Sequence, residues 1–132
     1  MIEHQIQAFF KSQAFAVVGA SHDRQKYGNK VLRCYMQHHK TVWPVHPAQD
    51  MIEHLPVFKS VLDLPADVKS ISVITPHSVT EKVVDLAAQK GIQNIWMQPG
   101  AESELAIEKC KALGINVIAK GPCILVYLGF KD

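Results

Sequence analysis

No apolar run in this sequence approaches the roughly 20 residues needed to cross a bilayer. The longest, Cys123 to Phe130, spans eight residues. The opening Met-Ile-Glu-His-Gln-Ile carries an early acid and no small-residue cleavage site, so no secretory signal is expected. Cysteine is scarce: Cys34, Cys110 and Cys123 lie far apart, which gives neither a disulfide framework nor a zinc spacing and suits a reducing, cytoplasmic setting. An excess of one charge is also missing. Fourteen Lys and Arg against 12 Asp and Glu leave a net charge of +2, too mild to argue for bulk nucleic-acid binding. The seven His form no H-x-x-x-H or H-E-x-x-H pair, and the adjacent His38 and His39 point in different directions on a helix, so no metal site is expected. No G-x-S-x-G elbow surrounds any serine. No nucleophile, base and acid group together, so no catalytic residue is expected.

What is present is material for one core. The chain has 132 residues, 48% of them hydrophobic, consistent with a single domain over 1–132. Five short apolar runs recur: 15–18, 41–45, 71–74, 94–97 and 116–119. They are nearly continuous rather than alternating, as suits strands covered on both faces of a parallel sheet. Pro44 lacks an N–H, so its strand needs an edge or a bulge there. Helical stripes separate the runs: Val31, Leu32, Tyr35 and Met36; Val79, Val83, Leu86 and Ala87; Ala106, Cys110 and Leu113. Ile2, Ile6, Phe9 and Phe10 mark a leading helix. Ser78-Val79-Thr80-Glu81 reads as a capping box, and Gly91 and Gly114 as helix stops. Ser60 and Asp63 bracket a short turn before Pro65, and Val57-Phe58 reads as a short strand. The expected fold is α/β, Rossmann-like and doubly wound, a mainly parallel sheet of five to six strands with helices on both faces.

Such sheets bind ligands beyond the carboxyl ends of their strands, where strand order reverses. With strand order 3-2-1-4-5-6, the reversal falls between 15–18 and 71–74. The following residues then matter most: Gly19, Ala20 and Ser21, and Thr75, Pro76 and His77. The loop after the second strand, His46-Pro47-Ala48-Gln49, closes a third side. The stretch Gly19 to Asn29 follows a strand and opens a helix. Gly19 permits a sharp turn, and Gly28 lies near the helix start, where unpaired N–H groups attract a pyrophosphate. Arg24 and Lys26 add positive charge. Tyr27 stacks on a base, caps the phosphate loop, or begins the apolar face of its helix. The stretch is not G-x-G-x-x-G, and no acid ends the second strand to hold the ribose of NAD. That absence suits a ribose carrying phosphate, which a carboxylate would repel.

The segments Gly19-Ala20-Ser21, Val45-His46-Pro47, Thr75-Pro76, Trp96-Met97-Gln98-Pro99-Gly100-Ala101 and the late Cys123 resemble the CoA-binding protein family. That family is related to the CoA-binding domain of the succinyl-CoA synthetase α subunit. The resemblance covers about Phe15 to Cys123. It implies coenzyme A as the cofactor, free or acylated, and a phosphate loop of Gly19, Ala20 and Ser21 with Arg24, Lys26 and Tyr27. It implies that the loop at His46 and Pro47 flanks the adenosine, where His46 replaces the family's usual Asn. The ligase relatives place a lysine near Gln49, which this sequence lacks. Thr75, Pro76 and His77 match the loop beside the pantetheine or pyrophosphate. Short members of the family lack the domain that carries the phosphorylated histidine of the ligases, so CoA binding without intrinsic catalysis is expected. The alternatives are an NAD(P)- or nucleotide-binding regulator, or a non-catalytic subunit of an acyl-CoA ligase. The partners expected are CoA or acyl-CoA, and a second copy or another protein chain, with neither nucleic acid nor membrane. Cys123 reads either as a small buried residue or as a thiol close to the cofactor.

Overall fold

A computed structural model describes residues 2–132. A helix, α1 (Ile2–Phe9), precedes strand β1 (Ala14–Val18), helix α2 (Tyr27–Gln37) and strand β2 (Val42–Val45). A small hairpin, β3 (Met51–Ile52) and β4 (Leu55–Pro56), and a single 3-10 turn (Val61–Asp63) lead to β5 (Val68–Val73). The chain then alternates through α3 (His77–Lys90), β6 (Asn94–Met97), α4 (Glu104–Ala112) and β7 (Asn116–Ile118), and closes in a wide π-type turn over Leu125–Gly129. The main sheet has five parallel strands in the order β2-β1-β5-β6-β7. Strand order reverses between β1 and β5, as the sequence predicts. No helix among the described residues is long and apolar enough to cross a membrane.

Each face of the sheet carries its own core. On one, Ile6 and Phe9 of α1, Val31, Leu32 and Tyr35 of α2, and Ile124 cover Phe15, Val17, Val42, Trp96 and Ile118. On the other, Val83, Val84 and Ala87 of α3 and Ala106, Ile107 and Cys110 of α4 cover Ala14, Ala16, Ile71, Val73, Ile95 and Met97. Burial on both sides explains why the strand sequences are apolar without alternation. Most polar groups in this interior find partners. Tyr35 and Ser72 share a hydrogen bond of 2.7 Å, and Ser70 donates to the Phe9 carbonyl at 2.6 Å.

Pro44 lies on the edge strand and shapes what happens beyond it. Phe58 donates its N–H to the Pro44 carbonyl, and His46 donates to the Phe58 carbonyl, which makes one parallel bridge between Val45 and Phe58. Toward the start of β2 the next ladder bond would have to come from the N–H that Pro44 lacks, and beyond His46 the Ala48 N–H turns to the His46 ring, so the pairing extends on neither side. The expected third strand is therefore present as a single bridge.

The capping box expected at Ser78 is not used. Helix α3 begins at His77 behind Pro76, with no side-chain cap. Glu81 instead accepts a 2.8 Å hydrogen bond from Ser103, which caps α4 through the Ala106 N–H. Four stripe residues also depart from expectation: Ile2, Met36 and Leu113 are exposed, and Val79 is 41% exposed at the mouth of an apolar recess.

Candidate functional site

The loop after β1 is locked by glycine. At Gly19, φ is +92°, and a Cβ there would lie 2.0 Å from the Ile74 carbonyl oxygen. The β1 and β5 ends therefore approach closer than any side chain permits. At Gly28, a Cβ would lie 2.1 Å from the Gly19 carbonyl oxygen, so α2 rests directly on the loop that precedes it. These are the tight-turn and helix-packing roles of a Rossmann glycine pair, at a longer spacing than the usual motif.

Short side chains fold the rest of the loop. Ser21 accepts from the Asp23 N–H at 3.0 Å, and Asp23 accepts from the Gln25 N–H at 2.9 Å. Gly19 spends its own N–H on the Val45 carbonyl. The N–H groups of Ala20, Ser21, His22, Tyr27 and Gly28 make no hydrogen bond among the described residues. All five residues belong to the wall of one cleft of 610 Å³, completed by Gly19, Asp23, Lys26, His46, Pro47, Gln49, Ile74, Thr75 and Pro76. Unpaired amides at a helix N-terminus form an anion-binding concavity.

A second recess of 320 Å³ opens beside the cleft and shares Gly19, Pro47 and Thr75 with it. Its walls are Val18, Val45, Val61, Val79, Val83 and Leu86, with Lys59 and Ser60 on its border. The exposed Val79 is thus part of a concave apolar surface.

Most of the expected site residues meet here: Gly19, Ala20, Ser21, Lys26, Tyr27, Gly28, His46, Pro47, Thr75 and Pro76 line the cleft. Arg24 does not. Its guanidinium faces Glu53 at 3.5 Å on another part of the surface. His77 is the exposed first residue of α3 and lies outside the cleft wall. His46 shapes its own loop, because its Nδ1 accepts from the Ala48 and Gln49 N–H groups at 3.0 and 3.2 Å. An Asn oxygen accepts in the same way in such a turn. Tyr27 begins α2 and packs against the core on that face of the sheet. It also lines the cleft, and its hydroxyl donates to Gln98 Oε1 at 3.1 Å.

Gln98, part of the run Trp96–Ala101 that carries the family resemblance, has no role assigned from the sequence. It is fully buried just past β6, and its Oε1 also accepts from the Ile124 N–H at 2.9 Å, while its Nε2 has no partner among the described residues. Asn29 is another such residue. It ties the Ser21 carbonyl to Glu53 and accepts from Arg33, so the β3–β4 hairpin braces the loop. Both act through residues remote in sequence, which no local pattern signals. Among the described residues, no group of three or more His, Cys, Asp or Glu side chains could hold a metal ion.

Cys123 is half-buried and adjoins Tyr27, whose phenol is held above its usual range by burial and then by this thiol. Burial, with a smaller contribution from Cys123, pushes the Cys34 thiol up to about 11, and burial alone pushes Cys110 to about 11, from an ordinary 9.0. Folded chains therefore hold these protons to higher pH than unfolded ones. The resulting stability is complete below pH 9 and is lost as pH rises toward 11. Urea midpoints measured across that window should fall. A thiol reagent at neutral pH should modify Cys123 alone in the native protein, and all three cysteines after unfolding. Rapid native labelling of Cys34 or Cys110 would contradict the packing described.

The CoA binding domain model matches residues 13–129. An ADP-forming acetate–CoA ligase II of Archaeoglobus fulgidus is 30% identical over 120 residues, covering 82% of this chain and 18% of the relative. The ADP-forming acetate–CoA ligase of Methanocaldococcus jannaschii is 24% identical over 103 residues, covering 78% of this chain and 15% of the relative. The chain thus spans less than a fifth of the length of these two relatives. Among solved structures, a conserved hypothetical protein from Pyrococcus furiosus superposes with a TM-score of 0.83 at 37% identity, covering 87% of this chain and 98% of the other. A dinucleotide-forming acetyl-coenzyme A synthetase 1 from Ca. Korarchaeum cryptofilum, in complex with phosphate and ADP, superposes at 0.74 with 25% identity, covering 81% of this chain and 25% of the other. With its fold, its glycine-locked loop and a family match over nearly its whole length, the chain belongs to the CoA-binding domain family.

Proposed function

We propose that this chain binds coenzyme A, free or acylated, in the cleft at the switch point, and performs no chemistry there on its own. The observation that carries the reading is the set of five unpaired amides at one cleft at the start of α2. A diphosphate accepts from such groups without any reorganisation of the protein. Charge plays a smaller part, because Lys26 and Asp23 line the same wall and largely offset each other. The adenine ring fits the apolar recess between Val45, Val61, Val79 and Val83, continuous with the phosphate cleft through Gly19, Pro47 and Thr75. The cleft volume of 610 Å³ falls within the range of about 300–1,000 Å³ typical of small-molecule sites. The pantetheine arm would run past Tyr27 toward Gln98 and Cys123.

The curated relatives are CoA ligases several times longer than this chain. We therefore read it as the CoA-holding part of a cytoplasmic system, working either as a second-copy assembly or with a partner that supplies the catalytic groups. CoA at a hundred times its Kd would stabilise the fold by about 2.7 kcal/mol, a rise in Tm on the order of 10 °C. Thermal shift with CoA, dephospho-CoA, NAD and ATP measures this. A clear shift with NAD and none with millimolar CoA would replace this reading with a dinucleotide regulator.

A further inference from the structure

We infer that Lys59 reads a phosphate on the adenosine ribose, so that this cleft prefers CoA to its 3′-dephosphorylated form. The inference rests on the CoA reading above and refines it. Lys59 is the one charged side chain among the described residues that line the apolar recess. Its position is set by the bridge between Phe58 and Val45, which delivers the next residue to the carboxyl edge of the sheet, beside the end of β2. There its ammonium donates to the Gln49 carbonyl at 2.5 Å and to Asp50 Oδ1 at 2.9 Å. Both acceptors lie on the loop that follows β2, the loop that faces the ribose in sheets of this kind.

The chemistry of that loop favours a ribose phosphate over a bare ribose. A carboxylate that holds ribose hydroxyls would sit at the tip of β2, where this chain has His46, engaged with its own loop. The nearest acid along the loop is Asp50, already paired with Lys59. Its side chain is 91% exposed, and exposed pairs of this kind are weakly held. A phosphate dianion competes well against one solvated carboxylate for the same ammonium. On the same loop, Gln49 Oε1 is buried without a partner among the described residues, at the cleft wall. A ribose hydroxyl or the adenine amino group supplies the donor it lacks.

Calorimetric titration of CoA and dephospho-CoA into the native chain, Lys59→Gln and Asp50→Asn tests this. The native chain should bind CoA about tenfold more tightly than dephospho-CoA, the scale of one charge-assisted hydrogen bond. Lys59→Gln should weaken CoA to the level of dephospho-CoA and leave the latter unchanged. Asp50→Asn should widen the preference by freeing the ammonium. Equal affinity of the native chain for the two ligands, or an equal loss of both in Lys59→Gln, would overturn the role of Lys59 while leaving CoA binding intact. Binding of neither ligand would overturn the CoA reading itself, and this inference with it.

Discussion

Replacing Gly28 with alanine is expected to destabilise the protein, although in an ordinary helix the same change stabilises by about 1 kcal/mol. The sign turns on contact alone. Gly28 has an unexceptional φ, so alanine can adopt its backbone, but the added carbon would lie 2.1 Å from the Gly19 carbonyl oxygen and 3.3 Å from the Ala20 Cα. Those neighbours are backbone and cannot rotate away. Helix α2 would have to lift off the loop, at a cost of roughly 3 kcal/mol, the upper range for overpacking. Gly19→Ala should cost more, because a 2.0 Å overlap with the Ile74 carbonyl adds to a left-handed φ of +92°. Gly100→Ala supplies the control: its φ of +95° is similar, but the added carbon meets nothing. It should lose only about 1–2 kcal/mol, the cost of the left-handed backbone. Urea denaturation of the three variants separates overlap from conformation. A neutral or stabilising Gly28→Ala would show that helix and loop are not in contact as described.

Trp96→Ala should remove about 3–5 kcal/mol, the usual cost of a buried aromatic. Against a total stability of about 5–15 kcal/mol, that leaves a marginal fold. Trp96 is fully buried, with Phe9, Phe10 and Tyr127 at ring centroid distances of 5.4, 6.1 and 6.0 Å. It also donates through Nε1 to the Pro122 carbonyl at 3.1 Å. That bond holds the turn from which Ile124 donates to Gln98, and Gln98 in turn holds Tyr27. Trp96→Phe keeps most of the packing but orphans the Pro122 carbonyl, so its loss should be nearer 1–3 kcal/mol. Melting curves should rank the variants native, Phe, Ala. Equal losses for the two would mean that the hydrogen bond dominates.

The sheet is legible in the sequence because its determinants are local. Continuous β-branched runs announce strands covered on both faces, and the helices between them fix the parallel topology and its switch point. The missing N–H of Pro44 restricts it to an edge or a bulge, of which the structure has the edge, and the same property stops the Val45–Phe58 bridge from extending toward the start of β2. The β3–β4 hairpin escapes such reading. Its turn places Glu53 and His54 at φ of 50° and 66°, without the Asn-Gly pair that usually marks such turns. Glu53 is held there by Asn29 and Arg24, which lie outside the hairpin. The Ser78–Glu81 pattern misleads because Glu81 finds a partner on Ser103, the cap of α4. In the site, the residues that topology delivers to the strand ends are those found around the cleft. Arg24 and His77 fall outside it because their side-chain directions depend on tertiary partners or on where α3 begins. His22 and Ile74 join it for the same reason of geometry, and Gln49 lines it as expected of the loop after β2.

The central claim is that amides at the β1–α2 junction receive an anionic cofactor. Titrating CoA into isotope-labelled protein and following backbone amide resonances measures it directly. The account predicts the largest saturable shifts at Ala20, Ser21, His22, Tyr27 and Gly28, with smaller ones along the recess at Val45 and Val61. Saturable binding that leaves those five amides unmoved, or shifts confined to the α1 and β7 side of the sheet, would contradict it.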